Sequence, residues 1–198
     1  MFGMNLESLF QMTPLDKNYL SLQFRNRIFS INGTEFQSFF ENIMQKAFPD
    51  FQKIRPYGKE GDAGNDGYIK NLGIYYQVYA PNVPTIKEAE AAQKLQTDFE
   101  KLKKNWDPIA EIKKYFFVYN DKNAGSTKKL EEALTFLTEN NPHIEFAILT
   151  TPKLETIFLK LDADAILDLG FNIDLRKAIS NAYEYLKEVE LALDREIV

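Results

Sequence analysis

The 198-residue chain contains no cysteine and a single histidine, His143. The first absence excludes disulfide scaffolds, thiolate-bound zinc, iron–sulfur clusters and thiol nucleophiles. The second excludes multi-histidine metal sites and makes any Ser-His-Asp triad depend on one residue. Metal chemistry then falls to oxygen ligands, which favour Mg²⁺, Mn²⁺ or Ca²⁺. No run reaches the roughly 18 consecutive apolar residues that span a bilayer, and the N-terminal stretch lacks the basic-then-apolar order of a secretory signal. A cytoplasmic location without a membrane partner is expected. Positive charge is not in excess: 24 basic against 29 acidic residues leave a net charge of −5, so contact with nucleic acid needs a local basic patch. A phosphate loop and a dinucleotide fingerprint are also missing.

What is present, 44% hydrophobic and 14% aromatic residues, suits one globular core. The expected organisation is an N-terminal arm over residues 1–32, a core over 33–170 and a C-terminal helix over 171–198. Residues 19–31 alternate at Leu20, Leu22 and Phe24 and then lose that period, which leaves their assignment open. After Asn32-Gly33, Phe36, Phe39, Phe40, Ile43, Met44 and Ala47 follow helical spacing, with Thr34 expected as N-cap. Pro49 ends that helix, and QKIRPY, DGYIK and IYYQVYA read as three neighbouring strands.

From residue 85 to about 105 a helix is expected, with Ile86, Ala89, Leu95, Phe99 and Leu102 inside and Lys101, Lys103 and Lys104 outside. KYFFVYN and IEFAILT are continuous apolar runs separated by the helical TKKLEEALTFLTEN, the pattern of buried parallel strands joined by a crossover. The order α-β-β-β-α-β-α-β-α describes an α/β fold, a mixed β-sheet flanked by helices. Leu175, Ile179, Ala182, Leu186, Val189 and Leu193 form a heptad-like stripe on a C-terminal amphipathic helix, suited to its own core, to oligomerisation or to partner docking.

The segment richest in chemistry is GKEGDAGNDGYIKNLGIYYQVYAP, residues 58–81. Asp62 and Asp66 flank the turn formers Gly64 and Asn65, which can bring both carboxylates to a strand entrance. In the strand that follows, period-two geometry puts Tyr75, Gln77 and Tyr79 on one face and Tyr76, Val78 and Ala80 on the other. A Gln amid aromatics in a central strand needs a hydrogen-bond network or a cation, because burying its amide alone costs a few kcal/mol.

An amphipathic helix, then GDAGNDG at 61–67, then a strand with QVY at 77–79, resembles the restriction-endonuclease-like PD-(D/E)xK nucleases. The similarity covers roughly residues 33–150 and is greatest to nuclease domains of anti-phage CBASS and Lamassu-type (ABC three-component) effectors. The resemblance implies a restriction-endonuclease-like fold and a metal-dependent DNA endonuclease subunit of a bacterial defence system. It implies that Asp66 and Gln77, the Val78 carbonyl and Asp62 hold Mg²⁺ or Mn²⁺, with Gln37 and Glu41 from the first helix completing the catalytic set and Glu35 a weaker candidate. The mechanism it implies is metal-assisted phosphodiester hydrolysis.

Where the family carries its catalytic lysine, this chain has Tyr79. A tyrosine can hydrogen-bond there but brings no positive charge. Lys59, Lys87 and Lys94 are candidate donors of that charge; the alternative is a catalytically silent nuclease fold that binds DNA or scaffolds a complex. Lys53, Arg55, Lys59 and Lys87 are the expected nucleic-acid contacts. The length leaves room for little beyond the core and the terminal helix, so restraint is expected from homo-oligomerisation or from partner subunits, an SMC- or ABC-type ATPase among them. His143 reads as a cap or surface residue and Trp106 as a packing anchor.

Overall fold

A computed structural model describes residues 12–55, 63–81, 88–172, 183, 186 and 187. Of the expected C-terminal helix over residues 171–198, all but 171, 172, 183, 186 and 187 lie outside the described residues. The chain divides into two compact units, residues 25–160 and a second made of the residues up to Phe24 with those from Leu161 onward.

The segment left open by its mixed periodicity is helical: α1 runs over Pro14–Ser30. Its start is a reciprocal cap, in which Asp16 N–H donates to Thr13 Oγ1 at 3.2 Å and Thr13 N–H to Asp16 Oδ2 at 2.9 Å, with Pro14 at the first helical position. Leu20, Phe24 and Ile28 are buried at a spacing of four, whereas Leu22 is exposed, so the apparent strand alternation was coincidental.

Helix α2 covers Gly33–Ala47 and buries Phe36, Phe39, Phe40, Ile43 and Met44. Its N-cap is Asn32 rather than the expected Thr34. Gly33 adopts φ +49°, a turn that a side chain disfavours, and starts the helix earlier, with the Asn32 carbonyl accepting from Glu35 and Phe36.

Among the described residues, five strands form one mixed sheet in sequence order: β1 Gln52–Lys53, β2 Gly67–Ile69, β3 Ile74–Tyr79, β4 Lys114–Tyr119 and β5 Glu145–Thr150. The first three pair antiparallel, in the register Lys53↔Gly67 and Gly67↔Tyr76. β3, β4 and β5 are parallel, with Gln77↔Phe117 and Phe117↔Ile148. The parallel connections carry α3 (Glu88–Trp106) and α4 (Lys128–Asn140).

Both helices cover the same face. Leu95, Phe99 and Leu102 of α3 and Leu130 and Leu137 of α4 join Tyr75, Tyr115, Phe117, Tyr119 and Ile148 in one core. Ala89, expected inside, is exposed and Ala91 takes its place, because the phase of α3 follows its contact with the sheet. Lys103, expected outside, is part-buried and donates to Asn141 Oδ1 at 2.6 Å. On the opposite face Tyr76 stacks on Phe116 and meets Phe40 of α2 and Phe51. Trp106 packs on Tyr68 and Tyr75, the anchoring role expected of it.

The corner between α1 and α2 is tied to the ends of β3 and β4. Gly33 N–H donates to the Ala80 carbonyl at 2.8 Å, and Asn120 Nδ2 to the Ile31 carbonyl at 3.0 Å. Lys122 Nζ donates to the carbonyls of Ile28 and Ile31 at 2.7 and 2.6 Å, satisfying acceptors that the end of α1 leaves open. Burial lowers the pKa of that lysine. These bonds anchor the start of α2 to the end of β3 and to the loop after β4. After β5 come α5 (Thr151–Phe158) and α6 (Ala163–Asp168), the latter capped by Asp162.

Candidate active site

The turn entering β2 is shaped by close packing on α3. Gly64 has φ +83°, and a Cβ there would lie 2.4 Å from the Asp98 carbonyl oxygen and 2.9 Å from the Leu102 nitrogen. Asn65 is fully buried and its Oδ1 accepts from Gly67 N–H at 3.0 Å, an Asx turn that fixes the residue between them. That residue is Asp66, only 3% exposed.

Asp66 is held from four directions. Its N–H donates to the Tyr76 carbonyl at 2.9 Å, and its carbonyl accepts from Ile54 N–H at 3.1 Å. Its Oδ2 accepts from Val78 N–H at 2.6 Å, and its Oδ1 from Gln37 Nε2 at 2.9 Å. The Tyr76 and Val78 bonds fix Asp66 against the backbone of β3. Gln77 is 4% exposed, and its Oε1 has no hydrogen-bond partner among the described residues.

The second carboxylate comes from α2. Gln37 and Glu41 lie one turn apart, and the same Gln37 nitrogen that donates to Asp66 donates to Glu41 Oε1 at 3.0 Å. Glu41 is 8% exposed, and its other oxygen lies 3.9 Å from Lys53 Nζ. One amide thus draws together two carboxylates 25 residues apart in sequence, at Glu41 and Asp66.

Tyr79 belongs to the aromatic face. Its ring stacks on Phe117 and Tyr119 with centroids 5.8 and 6.0 Å away. Burial raises its pKa, with the charge of Glu90 adding to the effect, so the hydroxyl stays protonated in neutral solution.

The expected site residues therefore separate. Asp66, Gln37 and Glu41 converge, with Val78 contributing its N–H to Asp66, while Gln77 is buried in β3 with its Oε1 unpartnered among the described residues. Lys53 joins this group through Glu41, while Arg55 and Glu35 are exposed. Lys94 is committed to Asp98 at 2.6 Å on its own helix. Asp62, Lys59 and Lys87 lie outside the described residues. Asn65, expected as a turn former, does form the turn, closing it with its own side chain on Gly67 N–H.

Among the described residues no three Asp, Glu or His side chains cluster to hold a metal ion. The donors that do meet are the two carboxylates of Asp66 and Glu41, hard oxygens of the kind that suit a Mg²⁺ or Mn²⁺ ion retaining several waters. No protein-family model matches the chain, and no curated protein or solved structure matches it.

Proposed function

We propose that the chain is a metal-dependent endonuclease of the restriction-endonuclease-like class, hydrolysing phosphodiester bonds of DNA as a subunit of an anti-phage defence assembly. The observation that carries this reading is the convergence of Asp66 and Glu41 on the Gln37 amide. Asp66 and Glu41 would hold the ion. When bound, a divalent ion of this kind supplies polarisation of the scissile phosphate and a water acidic enough to attack near neutral pH.

The chain's own residues have distinct tasks. Val78 N–H and Gln37 fix the Asp66 carboxylate, so little reorganisation is required on engaging substrate. The Gln37 amide neutralises part of the repulsion between Asp66 and Glu41. Tyr79, held neutral, is a hydrogen-bond donor rather than a charge. In the hydrolysis a bond forms between water oxygen and phosphorus as the ester P–O bond breaks. Water loses its proton to solvent and the leaving oxygen gains one, with no change in oxidation state.

One observation favours a second reading, a silent nuclease fold that binds DNA without cutting it: the Tyr79 ring is engaged in an aromatic stack and brings no cation. Plasmid cleavage with Mg²⁺ or Mn²⁺ separates the two. The endonuclease reading expects cutting that falls by about a thousandfold in Asp66→Asn, the loss of several kcal/mol of charge stabilisation. Cutting that survives in Asp66→Asn refutes the site, and DNA binding without cutting in either metal supports the silent fold.

A further inference from the structure

Two carboxylates drawn to one amide make a site of net charge −2, and a phosphodiester brings a further negative charge to it. Beside the divalent ion, cationic side chains close by help to hold such a substrate and to stabilise the charge developing on its non-bridging oxygens. Among the described residues, the ammonium paired with these carboxylates is that of Lys53, 3.9 Å from Glu41 Oε2.

Its placement follows from the backbone. Lys53 is the last residue of β1 and pairs with Gly67, the residue after Asp66. The next residue in the chain, Ile54, donates its N–H to the Asp66 carbonyl at 3.1 Å. The base of the lysine is thus fixed by sheet bonds against the loop that carries Asp66, while its side chain remains 57% exposed. A 3.9 Å ion pair at that exposure is loose enough for the ammonium to turn toward an incoming anion. By contrast, Lys94 is closely held by Asp98.

We propose that Lys53 is a catalytic residue of this site, contacting a non-bridging oxygen of the scissile phosphate and supplying, from β1, positive charge that Tyr79 on β3 does not. This rests on the endonuclease reading and goes beyond a general role in DNA contact. A lysine that only docks the backbone stabilises ground state and transition state alike, and its loss raises KM. One that meets the charge of the transition state lowers kcat.

The experiment compares the full chain with Lys53→Ala, Lys53→Arg and Asp66→Asn, using steady-state cleavage of a fluorescent DNA duplex in Mn²⁺ and melting curves for each variant. The expected result is a kcat about 100-fold lower in Lys53→Ala with KM within about threefold, partial recovery in Lys53→Arg, and unchanged melting. A Lys53→Ala chain that cuts with native kcat, or loses only KM, overturns the inference while leaving the site intact, provided that Asp66→Asn is inactive. If Asp66→Asn cuts like the native chain, or the native chain cuts nothing, the endonuclease reading fails and this inference with it.

Discussion

The side chain of Gln37 donates to Asp66 Oδ1 at 2.9 Å and, through the same nitrogen, to Glu41 Oε1 at 3.0 Å. Both acceptors are largely buried, so the amide offsets desolvation as well as mutual repulsion. Gln37→Ala should lower stability by about 1–3 kcal/mol, the range for losing a hydrogen bond to a charged group. Urea unfolding checks this. A variant as stable as the native chain would mean that water replaces the amide at no cost.

The turn before Asp66 depends on Gly64 for two separable reasons. Its φ of +83° is strained for any other residue, and a Cβ would meet backbone atoms of α3. Gly125 has a similar φ of +89° but open space around it. Gly125→Ala therefore isolates the conformational cost, about 1–3 kcal/mol. Gly64→Ala is expected to lose more than this in denaturant unfolding, with cleavage falling alongside because the turn that aims Asp66 must shift. Equal losses at the two positions would show that the approach of α3 yields easily.

Alkaline pH should destabilise the fold through the tyrosines of β3. Burial raises the Tyr76 phenol well above its ordinary value of 10.0. Tyr75 is raised as well, first by burial and then by Tyr68 and Asp107, and Tyr79 by burial and Glu90. The native state therefore keeps protons that the unfolded chain releases above pH 10, so stability is complete below that pH and lost as pH rises toward the native values. Tyr76→Phe retains the ring contacts and removes one titrating group. Its urea midpoint should fall less steeply between about pH 10 and 12 than that of the native chain.

Elements whose cause is local were readable before the structure. The apolar runs of β4 and β5, and the face of α2 that carries Gln37 and Glu41, follow from side-chain period alone. α1 was not readable, because exposed Leu22 between buried Leu20 and Phe24 imitates a strand. The Asn32 cap was hidden by a positive φ at Gly33, which a propensity argument does not register. Ala91 replaces Ala89 inside because the sheet sets the rotation of α3. Within the site, the turn signal marked Asp66. Its link to Gln37 spans 29 positions and its partner Val78 contributes a backbone N–H, which carries no sequence signature. The carboxylate Asp121 is the clearest case of a distant partnership. Fully buried, it accepts from Thr151 N–H at 2.8 Å and Gly125 N–H at 2.7 Å, joining the β4–α4 loop to the start of α5.

Divalent ions should stabilise the chain without any nucleic acid, which tests the donor set independently of cleavage. An ion that binds the native but not the unfolded state adds RT ln(1 + [L]/Kd), about 2.7 kcal/mol at a concentration 100 times Kd. For a chain of this size each kcal/mol moves Tm by roughly 2–4 °C, so saturating Mn²⁺ should raise Tm by about 5–10 °C. Asp66→Asn and Glu41→Gln each replace an anionic ligand with a neutral one and should remove most of the shift. Gln37→Ala removes the amide that competes for the same oxygens and should keep or enlarge it. Melting curves of the four proteins with and without Mn²⁺ make the comparison. A shift that persists in both carboxylate variants would place the ion elsewhere, and one lost in Gln37→Ala would make the glutamine a ligand rather than a spacer.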